Sequence, residues 1–130
     1  MNTLRQHAGL RRLYVDKAIN LLKEHQDKFT TSLVYLSDHG ESLGENGIYL
    51  HGLPYAIAPD SQKQVPMLLW LSEDYQKRYQ VDQNCLQKQA QTQHYSQDNL
   101  FSTLLGLTGV ETKYYQAADD ILQTCRRVSE

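Results

Sequence analysis

Apolar positions in the first part of the chain recur at helical spacing. Between Leu10 and His25, Tyr14, Val15, Ala18, Ile19, Leu21 and Leu22 fall three and four residues apart, with Arg11, Arg12, Lys17 and Lys23 mostly on the other side. This predicts an amphipathic helix that packs on something. The polar HQDKFTT ends the pattern, and Ser32 to Ser37 (SLVYLS) is a short apolar run containing Val and Tyr, which predicts a buried strand. A helix feeding a near-continuous apolar strand is the unit of an α/β fold, where such strands belong to a mainly parallel sheet covered on both faces.

Asp38 to Pro59 then carries Gly40, Gly44, Gly47, Gly52, Pro54 and Pro59, so a long irregular loop is expected there. Loops of that length without structure of their own are usually functional or disordered. Val65 to Leu71 (VPMLLWL) predicts a second strand, with Pro66 at an edge or at its start. Polar Ser72 to Gln93 follows, with a short helix around Cys85 to Ala90. A last helix is expected from Ser96, whose hydroxyl can cap the first turn, with Asp98 complementing the dipole. Leu100, Phe101, Leu104 and Leu105 would form its apolar stripe and Gly109 its stop. The tail from Lys113 holds an apolar pair, Ile121 and Leu122, and ends in charge. No repeat and no internal boundary is visible, so residues 1–130 read as one unit.

Composition narrows the partners. With 40% apolar and 22% charged residues the chain has the balance of an ordinary globular domain, and the 13 Lys and Arg are scattered rather than aligned. Without a basic stripe, nucleic acid is a poor candidate. The longest compact apolar run, Met67 to Leu71, is far short of the ~20 residues that cross a bilayer, so no transmembrane segment is expected. The basic N-terminal stretch has no apolar core behind it and does not read as an export signal. Cys85 and Cys125 are too few for a cysteine-rich zinc site. They are either two separate thiols or one disulfide, the latter only in an oxidising compartment.

The chemistry lies at the junction of first strand and loop. Asp38 and His39 directly follow the apolar run, at the carboxyl end of a strand, which in open α/β sheets faces the ligand crevice. Adjacent strand residues point to opposite faces, so both can meet one ion only if the strand breaks there, and Gly40 permits the break. A carboxylate oxygen with an imidazole nitrogen suits zinc or manganese better than calcium or magnesium. Such an ion could polarise a phosphoryl oxygen. His51, twelve residues on, can return to the same site along the glycine-rich loop, as a ligand of a second ion or a donor to a phosphate oxygen. Each element alone has a plainer explanation: DHG suits any strand-to-turn junction, and Glu41 and Glu45 read as solvated loop charges.

Taken together, SDHGESLGENGIYLHGLPYAIAP, QVPMLLW and YSQDNLFSTLLGL resemble the C-terminal part of the catalytic domain of the lipid A phosphoethanolamine transferases. These include the mobile colistin-resistance enzymes and belong to the alkaline phosphatase and sulfatase superfamily. The resemblance runs from about Tyr14 to Arg126. It implies part of a three-layer α/β sandwich at the periplasmic face of the inner membrane, anchored in full-length members by transmembrane helices. It implies zinc as cofactor, phosphatidylethanolamine as donor and a lipid A phosphate as acceptor, with transfer through a zinc-bound threonine. Masking that anionic charge weakens cationic peptides such as polymyxins. By the same resemblance Asp38 and His39 are zinc ligands, and His51 serves the substrate phosphate or a second zinc.

The departures are as specific. The threonine nucleophile and a glutamate ligand of these enzymes lie well upstream of DHG and have no counterpart here, so no catalytic nucleophile is expected within the chain. Thr30 and Thr31 sit at the far end of the strand, about 20 Å away at the rise of extended backbone. Gln97 stands where the resemblance calls for histidine. Beside the transferase reading stand a non-catalytic interaction module and a related sulfatase or phosphatase. A periplasmic location would also bring a Cys85 to Cys125 bridge.

Overall fold

The computed structural model describes residues 3–43, 47 and 49–127. Gly44, Glu45 and Glu130 therefore lie outside the described residues. The chain forms two compact units, one up to Ser72 and one from Glu73 onward.

The first unit opens with helix α1, Thr3–Glu24, longer than the pattern predicted. Val15, Ala18, Ile19 and Leu22 are half-buried at helical spacing, and α1 lies against strand β1, Ser32–Leu36. Tyr14 and Leu21, assigned to the same stripe, are exposed. The stripe is narrower than expected because only the i, i+3, i+4, i+7 positions share one line on the helix. No helix among the described residues is long and apolar enough to cross a membrane.

After β1 come the short strands β2, Ser42–Leu43, and β3, Tyr49–Leu50, which pair antiparallel, so the expected loop contains a hairpin. A single helical turn, α2 (Asp60–Lys63), precedes strand β4, Met67–Leu71. β1 and β4 pair antiparallel, from Ser32 opposite Leu71 to Leu36 opposite Met67. Pro66 sits just before β4, and its carbonyl accepts a hydrogen bond from the Ser37 amide at 3.2 Å.

Both ladders among the described residues are thus antiparallel, against the mainly parallel sheet expected. The connection explains it. Parallel neighbours need a crossover that carries the chain to the opposite end of the sheet; here residues 37–66 leave and return at the same end. The continuous apolar character of β1 reports partial cover on both faces, since all five residues are half-buried, and not strand direction.

The second unit contains α3, Glu73–Arg78, α4, Gln83–Thr92, and α5, Asn99–Thr108. Asp82 caps α4 by accepting from the Asn84 and Cys85 amides at 2.9 and 3.1 Å. α5 starts three residues later than expected, with Asp98 at its N-cap position and no side-chain cap bond; Ser96 lies in the turn before it, where its hydroxyl accepts from the Asp98 amide and the Asn99 side chain accepts from the Ser96 amide. Gly109 ends α5 in the left-handed region, φ 66°, with the Val110 amide reaching back to the Leu105 carbonyl.

The buried face of α5 is Ser102, Thr103 and Leu107, whereas Phe101 and Leu104 are exposed. The expected stripe was displaced because Thr103 is fully buried as a hydrogen-bonding residue, taking the Ile121 amide at 3.1 Å. Ile121 and Leu122 are buried, as their apolar character predicted. Cys85 and Cys125 are bonded, tying α4 to the turn Gln123–Cys125.

Candidate functional site

The chain leaves β1 at Leu36 and bends at once: the Ser37 hydroxyl donates to the His39 carbonyl at 2.9 Å, and the His39 amide donates to Asp38 Oδ1 at 3.1 Å. These local bonds turn two consecutive side chains toward each other, which a continuing strand would forbid. Gly40 follows. Its role differs from the permissive φ that the sequence suggested. It is buried against α2, and a β-carbon there would fall onto the Ser61 carbonyl oxygen and within 2.7 Å of the Gln62 carbonyl carbon.

His39 is oriented by its own backbone neighbour. Nδ1 lies 3.0 Å from the Gly40 carbonyl oxygen. A carbonyl can only accept, so Nδ1 is the donor in this contact, which leaves Nε2 as the nitrogen available to a ligand. That nitrogen stands 3.8 Å from Asp38 Oδ1. The gap is too long for a hydrogen bond. It is close to the separation of about 3.4 Å that two ligands of one tetrahedral zinc would have. A histidine whose other nitrogen donates to a carbonyl is also the usual arrangement of a metal ligand. The Asp38 carboxylate is 91% exposed and so accessible to an incoming ion.

His51 returns to this place, as its position on the loop suggested. Its ring stacks on His39 with centroids 4.0 Å apart and planes 28° from parallel. It offers a face to His39. No group of three or more His, Cys, Asp or Glu suited to a metal occurs among the described residues. Among the described residues Asp38 and His39 are thus a pair with the donor types of a zinc ligand set and not a full set. Thr31, at the opposite end of β1, is buried with a hydroxyl that has no hydrogen-bond partner among the described residues.

No motif marks the residues that join the two histidine segments. Ser42, on β2, is 1% exposed; its Oγ accepts from Gln62 Nε2 at 2.9 Å and lies 3.2 Å from Ser61 Oγ. Gln62 Oε1 accepts from the Leu53 amide at 3.4 Å, and the Glu41 amide donates to the Ser61 carbonyl. A serine and a glutamine in a polar stretch carry no spacing signal, since their partners lie nine to twenty residues away.

In the second unit, Asp82 ion-pairs with Arg127 at 3.2 Å, and its carboxyl is held below the ordinary value first by the Cys85 amide and then by Arg127. Burial raises the Tyr75 phenol above its usual value, and Tyr75 donates to the Leu107 carbonyl. Neither group belongs to a constellation that suggests chemistry.

The Sulfatase family profile matches residues 14–110. Phosphoethanolamine transferase EptA of Salmonella typhimurium is 84% identical over 116 residues, covering 89% of this chain and 21% of that protein. Phosphatidylethanolamine transferase Mcr-1 of Escherichia coli is 49% identical over 57 residues, 44% of this chain and 10% of that protein. The chain thus spans about a fifth or less of the length of these relatives. Among solved structures, the soluble domain of lipooligosaccharide phosphoethanolamine transferase A from Neisseria meningitidis superposes with a TM-score of 0.83. That match has 44% identity and covers 89% of this chain and 35% of that one.

Proposed function

Since this chain belongs to the sulfatase family, we propose that it supplies half of the zinc centre of a phosphoethanolamine transferase acting on lipid A. The observation that carries the reading is the His39 arrangement. Nδ1 is held by the Gly40 carbonyl, and Nε2 faces Asp38 Oδ1 at 3.8 Å. The 84% identity to a phosphoethanolamine transferase over nearly the whole chain supports the choice of reaction.

Asp38 and His39 would hold the ion, which when bound would polarise a phosphoryl oxygen and acidify a coordinated hydroxyl. His51, stacked beside His39, would donate to a phosphate oxygen of the donor, phosphatidylethanolamine, or of the lipid A acceptor, or serve a second zinc. No residue of this chain matches the threonine nucleophile, and a nucleophile must lie within hydrogen-bond reach of what activates it. Transfer therefore draws on groups outside these 130 residues, and the periplasmic face of the inner membrane is where both lipids are met.

Zinc titration calorimetry tests the metal half. The chain binds zinc, and D38A and H39A each weaken binding at least tenfold; equal affinity in all three overturns the reading. A chimera tests the transfer half. These residues replace the matching segment of the Salmonella relative, and lipid A is examined by mass spectrometry. A chimera present at parental level that adds no phosphoethanolamine overturns the proposed reaction.

A further inference from the structure

We propose that Gln62 is a positioning residue that locks the His39 and His51 segments to each other, so that one side chain sets the geometry at which both imidazoles meet the phosphate. The inference deepens the function proposed above and rests on it for the ligand, though not for the clamp itself.

The two histidines are twelve residues apart on a loop that no long strand organises, yet their rings lie 4.0 Å apart. Stacking of two small rings does not by itself hold such a loop. What the segments share is the α2 turn. On the His39 side, the Gly40 carbonyl that fixes Nδ1 belongs to a residue seated on the Ser61 and Gln62 backbone. The Glu41 amide donates to the Ser61 carbonyl at 3.1 Å, and Ser42 Oγ takes the Gln62 Nε2 hydrogen at 2.9 Å. On the His51 side, the Leu53 amide, two residues on, donates to Gln62 Oε1.

Gln62 thus uses its donor on one segment and its acceptor on the other. Ser42 Oγ is buried, so its bond to Gln62 has little competition from water. Alanine at position 62 would remove both bonds. Glutamate would keep them, accepting the Ser42 hydroxyl hydrogen with one oxygen and the Leu53 amide with the other.

The test is the imidazole proton spectrum of the isotopically labelled chain without metal, where stacked rings shift each other's resonances. In Q62A the mutual ring-current shifts of His39 and His51 collapse while the β1 and β4 amide resonances stay in place; Q62E restores the shifts. Unchanged histidine shifts in Q62A overturn the proposal. If Q62A loses the β1 and β4 pattern, S42A, which removes one hydroxyl, must collapse the same shifts, and its failure to do so overturns the proposal equally. With zinc as probe, Q62A weakens binding about tenfold, in the range of residues that orient metal ligands. A parent chain that binds no zinc but shows the Q62A shift collapse would sink the metal reading and leave the clamp standing.

Discussion

Gly40 rests so closely on Ser61 that a β-carbon would fall onto the Ser61 carbonyl oxygen. The neighbouring obstacles are backbone atoms of Gln62, which cannot turn aside as a side chain can. Gly40→Ala must therefore push the DHG segment off the α2 turn. Overpacking of this kind costs about 1–3 kcal/mol, and urea unfolding should show the loss. An unchanged midpoint would show that the turn is not seated there.

His39 and His51 should separate in a zinc titration against a chromophoric chelator. His39→Ala removes a nitrogen that faces Asp38, whereas His51 presents a ring face to its neighbour. His51→Ala is expected to leave zinc affinity within about twofold while weakening inorganic phosphate on the zinc-loaded chain about tenfold, the value of one hydrogen bond to a charged group. Equal loss of zinc in both variants would make His51 a ligand.

The Cys85–Cys125 bond closes 40 residues of the second unit. Restriction of the unfolded chain over such a loop is worth about 4 kcal/mol at most by loop-closure entropy, and commonly 2–4. Reduction, or the double alanine variant, should sharply raise amide exchange in α4 and in Gln123–Cys125. Exchange rates insensitive to reductant would contradict this.

Tyr75 sets an alkaline limit. Burial is the main cause of its raised pKa, with Arg126 opposing it. A group whose folded value lies above the unfolded one stabilises fully below the unfolded value, about 10, and loses that contribution as pH climbs through the folded one. Tyr75→Phe should lose about 1 kcal/mol at neutral pH, with the Leu107 bond. Its stability should then decline less steeply than that of the parent above pH 10. Parallel pH curves for the two proteins would contradict the assignment.

What the sequence made legible follows the range of the interactions. The α/β sulfatase-like class, both long strands and the stop at Gly109 are local patterns or long motif strings, and they hold, while the helix start expected at Ser96 falls at Asn99. The proximity of His39 and His51 was legible too, because a glycine-rich loop limits how far two ends can stray. Strand direction was not, since apolar continuity reports cover and not orientation. Ser42, Ser61 and Gln62 were invisible for a different reason: their meaning lies in partners across the loop. Phe101 misled because hydrophobicity ranks it above Thr103, while hydrogen bonding to Ile121 decides which of the two is inside.

The antiparallel pairing of β1 with β4, closed by the Ser37 amide on the Pro66 carbonyl, has an evolutionary corollary. Everything between those two residues is an excursion whose ends are pinned side by side by strand register. The part of it away from the Gly40–Ser61 contact and the Gln62 bonds can change in length without disturbing the ladder that bears it. The Asp38–His39 corner, just beyond the end of β1, is held in place by that same anchoring.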